Sequence, residues 1–441
     1  FYLVSTKTKK FSAELILSAI VAPILGLLIF IGTWADFWTD PVRKLESMID
    51  FYKTIGTTVT ISQGFIGPFG INTYALQWIL YTTPLVILLL SFLGIMVILS
   101  KKFKDKNKVF LFFLLMLIVP IARVTWPGTN IYGGVRQIME FIPPVAMIAG
   151  IGGATLRGWM IKNYCSSLSA SLLVLILFIP ITLKIIQIHP NENVYFNPLI
   201  GGLKGAAERD FPGWGVSFGA PYREAIEWIN ENAQPNAKLT LGHEILSNLP
   251  GIFIRPDIEY KSNRSGYLRD GEYVISLRFQ GSDKRSYFDM YLDRMIIPIY
   301  QITVDGVPIL KIWKNDKDHL KPEWSQEILL DNLKFTKTNN GVSFDIGQQV
   351  KLSRMEIDYE DSNCPQLASG YLMVSRDGKE WERIPGVLPE EVRIKVLGIQ
   401  PANGKFIEPF AGQAARYINF FVSPKDTCVT QIENVKLYHF Q

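Results

Sequence analysis

The sequence predicts an α-helical polytopic membrane bundle followed by a small external α/β domain and an all-β sandwich. Three observations carry that prediction. Five apolar segments fall within residues 1–187 of the 441-residue chain, and residues 188–441 hold none. Basic residues gather in alternate connections between those segments. Beyond residue 187 the pattern changes, first to helices alternating with strands and then to strands alone.

A helix crossing a hydrocarbon core of about 30 Å needs ~20 mostly apolar residues. The predicted crossings are 15–34, 78–99, 109–124, 137–156 and 166–184. Lys7, Lys9 and Lys10 precede the first, and Lys101, Lys102, Lys104, Lys106 and Lys108 join the second to the third. Arg157 and Lys162 join the fourth to the fifth. The positive-inside rule makes these three stretches cytoplasmic. The loop 35–77 and everything after residue 187 are then expected outside the cytoplasm of an integral protein of the cell membrane. The composition, 48% hydrophobic and 19% charged, averages a greasy half with an ordinary soluble one. The net charge of +5 comes largely from the cytoplasmic lysines, so no nucleic-acid partner is expected. The chain starts at Phe1 and enters an apolar run without a signal peptide, as expected of a fragment lacking its N-terminal portion.

In the first external loop, Asp40-Pro41 is a helix start. Val42, Leu45, Met48, Ile49 and Tyr52 then recur at helical spacing against charged residues, which predicts an amphipathic helix on the outer membrane surface. The stretch SQGFIGPFGINTYALQW is expected to form an ordered re-entrant loop. The α/β domain is placed over 188–316. Its elements are a helix carrying Tyr222, Ile226 and Ile229, strands KLTLG and EYVISLRF, a helix RSYFDMYLDRM, and a hairpin turning at Asp305-Gly306. From 322 to 441 short alternating strands predict a sandwich, with a second hairpin turn at Asp377-Gly378. Its loops carry no ligand signature. Cys364 and Cys428 both fall in this domain, where oxidising conditions permit a disulfide between them. Cys165 and four histidines add no metal-ligating pattern, so neither a metal nor a cofactor is expected.

Charge near membrane depth marks candidate function. Arg123 ends the third crossing and Arg136 begins the fourth, with Trp126 and Tyr132 in the turn between them. Guanidinium groups at the outer boundary suit a lipid-linked phosphate, which Arg grips through its planar donor fork. The bland alternative is that both arginines snorkel to lipid headgroups. Glu140 is more readily an ion-pair partner than a catalyst, and Asp36 and Asp40 are more readily helix caps.

Two passages, YGGVRQIMEFIPPVAMIAGIG and YFNPLIGGLKGAAER followed by YREAIEWINENAQPNAKL, resemble membrane glycosyltransferases of the dolichyl-phosphate-mannose protein mannosyltransferase type. WILYTTPLVILLL is similar to a helix of the same group, and the resemblance covers roughly 70–310. YLMVSRDGKEWERI resembles a discoidin, galactose-binding-like β-sandwich. The resemblance implies a C-class, inverting transferase, here only in part. Its donor is a polyprenyl-phosphate sugar and its acceptor an extracytoplasmic protein or glycan, with a further carbohydrate contact at the sandwich. The catalytic carboxylate is expected in the missing N-terminal part. Arg136 carries over as a donor-phosphate ligand with Arg123 beside it, and Tyr74 and Trp78 take the place of aromatics in the substrate cavity. The rival reading is a non-enzymatic, membrane-anchored glycan-binding or cell-surface interaction protein.

Overall fold

The computed structural model describes residues 13–58, 65–100, 107–129, 131, 133–242, 249–283, 286–330, 333–338, 341–359, 371–384, 405–421 and 432–441. The expected Cys364–Cys428 disulfide and the side chain of Tyr132 lie outside the described residues. The chain divides into two compact units: Phe1–Gln187 with Phe196–Ile200, and Ile188–Tyr195 with Gly201–Gln441.

The first unit is helical. Among the described residues, two helical stretches are by length and composition long and apolar enough to cross a membrane, Arg136–Asn163 and Ser167–Ile188, the last residue of which already belongs to the other unit. Apolar stretches of shorter length are Ile20–Thr33 and Leu111–Thr125. The predicted crossing 78–99 is a different object. It is two helices, Tyr74–Thr82 and Leu85–Leu99, meeting at a bend of 114°. Pro84 causes the break, because it has no N–H to donate and forces the preceding residue out of helical geometry. Thr83 accordingly sits at φ −77°, ψ 132°.

A broken helix leaves carbonyls without intrahelical donors. One side chain supplies them. Asn197, fully buried, donates through Nδ2 to the carbonyls of Leu80 and Thr83, both at 2.7 Å. Its backbone N–H donates to Tyr81, also at 2.7 Å.

The second half of the bent pair packs on helix Ile142–Asn163 at backbone contact. A Cβ added at Gly94 would strike the Ile148 carbonyl, and one at Gly152 would strike the Leu90 carbonyl. Ser91 Oγ donates to the Val145 carbonyl across the same seam at 3.2 Å. Small residues let the two backbones close up while leucines face outward, as with Leu89 at 61% exposed and Leu99 at 66%. Between the first two apolar segments, helix Pro41–Thr58 follows the sequence expectation. Asp40 caps it by accepting from the Arg43 N–H at 3.1 Å, and Asp36 pairs with Lys44 at 3.0 Å.

In the second unit, helices Gly202–Glu208 and Tyr222–Asn232 precede a five-stranded sheet of order β2-β1-β3-β5-β4. Its strands are β1 Lys238–Leu241, β2 Glu259–Tyr260, β3 Tyr273–Leu277, β4 Pro298–Val304 and β5 Val307–Lys314. β1 runs parallel to β2 and β3, whereas β5 is antiparallel to β3 and β4. The β4–β5 hairpin turns at Asp305 (φ 52°) and Gly306 (φ 74°), the left-handed pair that a two-residue turn demands.

The all-β part follows, from β6 Glu327–Leu329 through β7 Phe335–Thr338, β8 Gly341–Tyr359 and β9 Tyr371–Ser375. It ends with β10 Glu382–Arg383, β11 Lys405–Pro409, β12 Ala414–Phe421 and β13 Ile432–Phe440. β8, of 19 residues, organises it. Its first part pairs with β7 and β12, and its second with β11 and β13. The core includes Phe344, Leu352, Met355, Ile357, Ile418 and Phe420.

The α/β and all-β parts share a second core. Tyr287, Phe288 and Tyr291 of helix Tyr287–Met295 and Trp313 of β5 pack with Ala411 and Phe440. Arg294 also donates to the Ala411 carbonyl at 3.0 Å.

Candidate functional site

Each unit gathers chemistry-bearing side chains in one place. In the helical unit, the chain leaves helix Asn107–Thr125 and turns through Gly133 and Gly134, both at φ 71°. The Gly134 N–H donates to the Tyr74 hydroxyl at 3.0 Å. Trp78 lies on the same glycine, where an added Cβ would meet its ring at 3.2 Å. The Arg136 guanidinium folds over Gly133, leaving no room for a Cβ there. The positive φ at both positions is what favours glycine in this turn. The Tyr74 and Trp78 rings are 6.1 Å apart, and Trp78 is 5.5 Å from Phe196.

Tyr74, Trp78 and Arg136 are thus brought to one turn. Arg123 is drawn elsewhere, donating to the Gln137 carbonyl at 3.1 Å and lying 3.6 Å from Glu140. Both side chains of that pair are more than half exposed, so the pairing contributes little stability. Trp126 is 71% exposed. An exposed guanidinium beside a glycine turn can grip a phosphate bidentately, and the two aromatic rings add an apolar wall.

In the second unit, the hairpin between β9 and β10 forms a cleft of about 400 Å³. Ser375, Arg376, Asp377, Glu380, Trp381 and Glu382 line it over Val374 and Ala414. The turn is built by side-chain acceptors. Ser375 Oγ accepts from Gly378 N at 2.9 Å, and Asp377 Oδ1 accepts from Lys379 N at 2.8 Å and Glu380 N at 3.0 Å. Those backbone donors, Glu380's first, hold the Asp377 carboxyl below the usual carboxylate range. Gly378, at φ 77°, lies over the Tyr417 ring. Trp381 is half-buried, with Nε1 donating to the Gly378 carbonyl at 3.2 Å. One ring face beside several carboxylate and guanidinium groups can stack a pyranose and bond its hydroxyls.

Sequence reasoning recognised this hairpin but assigned it no ligand. The available signal was Trp381 between Glu380 and Glu382, directly after an Asp-Gly turn. Among the described residues, no group of three or more His, Cys, Asp or Glu could hold a metal ion.

No protein-family model matches the chain, and no curated protein matches it. Solved structures do. The C-terminal domain of a chitobiase from Bacteroides fragilis is similar at 18% identity and a TM-score of 0.17, over 23% of this chain and 62% of that one. CpGH89CBM32-6 from Clostridium perfringens is similar at 16% identity and a TM-score of 0.16, over 27% of this chain and 94% of that one. A Streptococcus pneumoniae fucose binding module, SpX-3, is similar at 11% identity and a TM-score of 0.18, over 25% and 74%. The chain thus spans about three fifths of the first of these.

Proposed function

We propose that this is a membrane-anchored carbohydrate-handling protein whose C-terminal unit binds glycan outside the cytoplasm, at the cleft beside Trp381. The observation that supports this reading is the cleft itself, lined by one half-buried indole and the polar side chains of Ser375, Arg376, Asp377, Glu380 and Glu382. Sugars are recognised by such pairings, because a pyranose has an apolar face and a rim of hydroxyls. The full chain in lipid nanodiscs, titrated with neutral oligosaccharides, tests it. Binding that falls at least tenfold in Trp381→Ala supports the reading, and binding indifferent to that change ends it.

A second reading is favoured by the convergence of Tyr74, Trp78 and Arg136 on one glycine turn. In it, the helical unit is the C-terminal portion of a glycosyltransferase that moves a sugar from a polyprenyl-phosphate donor to an extracytoplasmic protein or glycan. A base outside these residues takes the acceptor hydroxyl proton, the oxygen attacks the anomeric carbon, and the bond to phosphate breaks with inversion. Arg136 stabilises the charge that develops on the departing phosphate. Arg136→Ala in the intact enzyme is expected to lower transfer about 100-fold. Unchanged turnover with a lipid-linked sugar eliminates this role.

A further inference from the structure

Charge decides which glycan the Trp381 cleft can take. Among the described residues, its lining holds three carboxylates, Asp377, Glu380 and Glu382, against one cation, Arg376. Lys379 and Arg383 belong to the same hairpin but do not line the cleft. Arg416, the nearby cation of β12, is engaged with Asp345 at 2.9 Å. Within the walls, then, negative charge exceeds positive by two, three carboxylates less one guanidinium. Asp377 has one oxygen committed to the turn, since both backbone donors bond to Oδ1.

We infer that the cleft selects neutral and amine-bearing glycans and rejects acidic ones, an inference that rests on the glycan-binding reading above. A sugar hydroxyl or ammonium donates to carboxylate oxygens, for which the walls are over-supplied. A uronate or sialate would bring a further carboxylate into walls where, among the described residues, Arg376 alone is cationic. Like-charge juxtaposition of this kind acts mainly on specificity. Each exposed contact is weak on its own, so the selectivity comes from several carboxylates acting together.

The experiment uses the full chain in nanodiscs and three probes of similar length: an N-acetylglucosamine oligomer, its de-acetylated glucosamine counterpart, and a galacturonate oligomer. The expected order at low salt is the amine form tightest, the neutral form about threefold weaker, and the acidic form weaker by a further factor of ten or more. Raising salt should compress that spread. In the double variant Glu380→Gln with Glu382→Gln, the spread between amine, neutral and acidic probes should collapse, with the amine form losing the most affinity. Acidic and neutral probes binding equally, with both lost in Trp381→Ala, would overturn the charge inference and leave the glycan site standing. No binding by any probe, or binding unaffected in both Trp381→Ala and the milder Trp381→Phe, overturns the site and the inference together.

Discussion

The helical unit and the C-terminal unit pack their interiors differently. Where helix Leu85–Leu99 meets Ile142–Asn163, backbones touch at Gly94 and Gly152 beside the buried Leu90, Val145 and Ile148, while Leu89 and Leu99 are exposed. In the C-terminal unit the interior is bulky. Trp313, Tyr287, Phe288 and Tyr291 are all less than 2% exposed. On the membrane reading proposed above, the difference follows from the solvent that each unit meets. In water, removing large apolar surface is the main driving force. In hydrocarbon that force vanishes between helices, and close approach with dispersion contact takes its place. The first unit should therefore be sensitive to added volume, and the second to removed volume.

Four substitutions break or sharpen that contrast. Trp313→Ala empties the shared core, and ~3–5 kcal/mol of stability should disappear, read by chemical denaturation of the C-terminal unit. A cost below 1 kcal/mol would mean that core is not tightly packed. Gly152→Leu does the reverse in the helical unit, forcing the two helices apart at a cost of roughly 3 kcal/mol. Thermal scanning in nanodiscs should show a lowered transition, and an unchanged one would refute backbone contact at that seam.

Asn197→Ala tests the bend rather than the volume. It leaves the Leu80 and Thr83 carbonyls without their buried donor, at a cost of ~1–3 kcal/mol. Asn197→Asp should be no rescue, because a carboxylate cannot donate; wild-type stability in that variant would contradict the assignment.

The smallest effect concerns Asp293, which sits between Arg278 at 3.0 Å and Lys311 at 2.8 Å. Burial acts to raise its carboxyl, and the two cations more than offset that, leaving it below the usual carboxylate range. A depressed carboxylate contributes stability above its unfolded value near 4, and that contribution is lost as pH falls through the lower folded value. Asp293→Asn should cost ~1–2 kcal/mol at pH 7 and close most of that gap at pH 3. A gap independent of pH would assign the cost to packing instead of charge.

What the sequence disclosed depended on whether a signal was local. The β4–β5 hairpin was legible because Asp305-Gly306 announces its own turn, and helix Pro41–Thr58 because Asp40-Pro41 announces its start. The run 78–99 concealed its bend, since apolarity is the same in a straight helix and a bent one; only Pro84 hinted at it. The clamp at Asn197 was hidden because its partners lie more than a hundred residues away in the chain. At the candidate sites, residue type pointed to Arg136 and the family resemblance to Tyr74 and Trp78, while their meeting on Gly134 and Gly133 needed the fold. The charge balance of the Trp381 cleft needed the hairpin closed before its lining could be counted.

The same Asn197 gives the joint between the units an unusual character. The chain passes from one unit to the other three times, after Gln187, after Tyr195 and after Ile200. The middle pass, Phe196–Ile200, is fastened into the helical unit by Asn197. A protease nick after Gln187 would cut residues 1–187 from 188–441, yet leave the five-residue stitch of the second piece fastened to Leu80, Tyr81 and Thr83 of the first. The severed pieces should co-purify, much as two fragments reassemble when one retains a strand of the other's fabric.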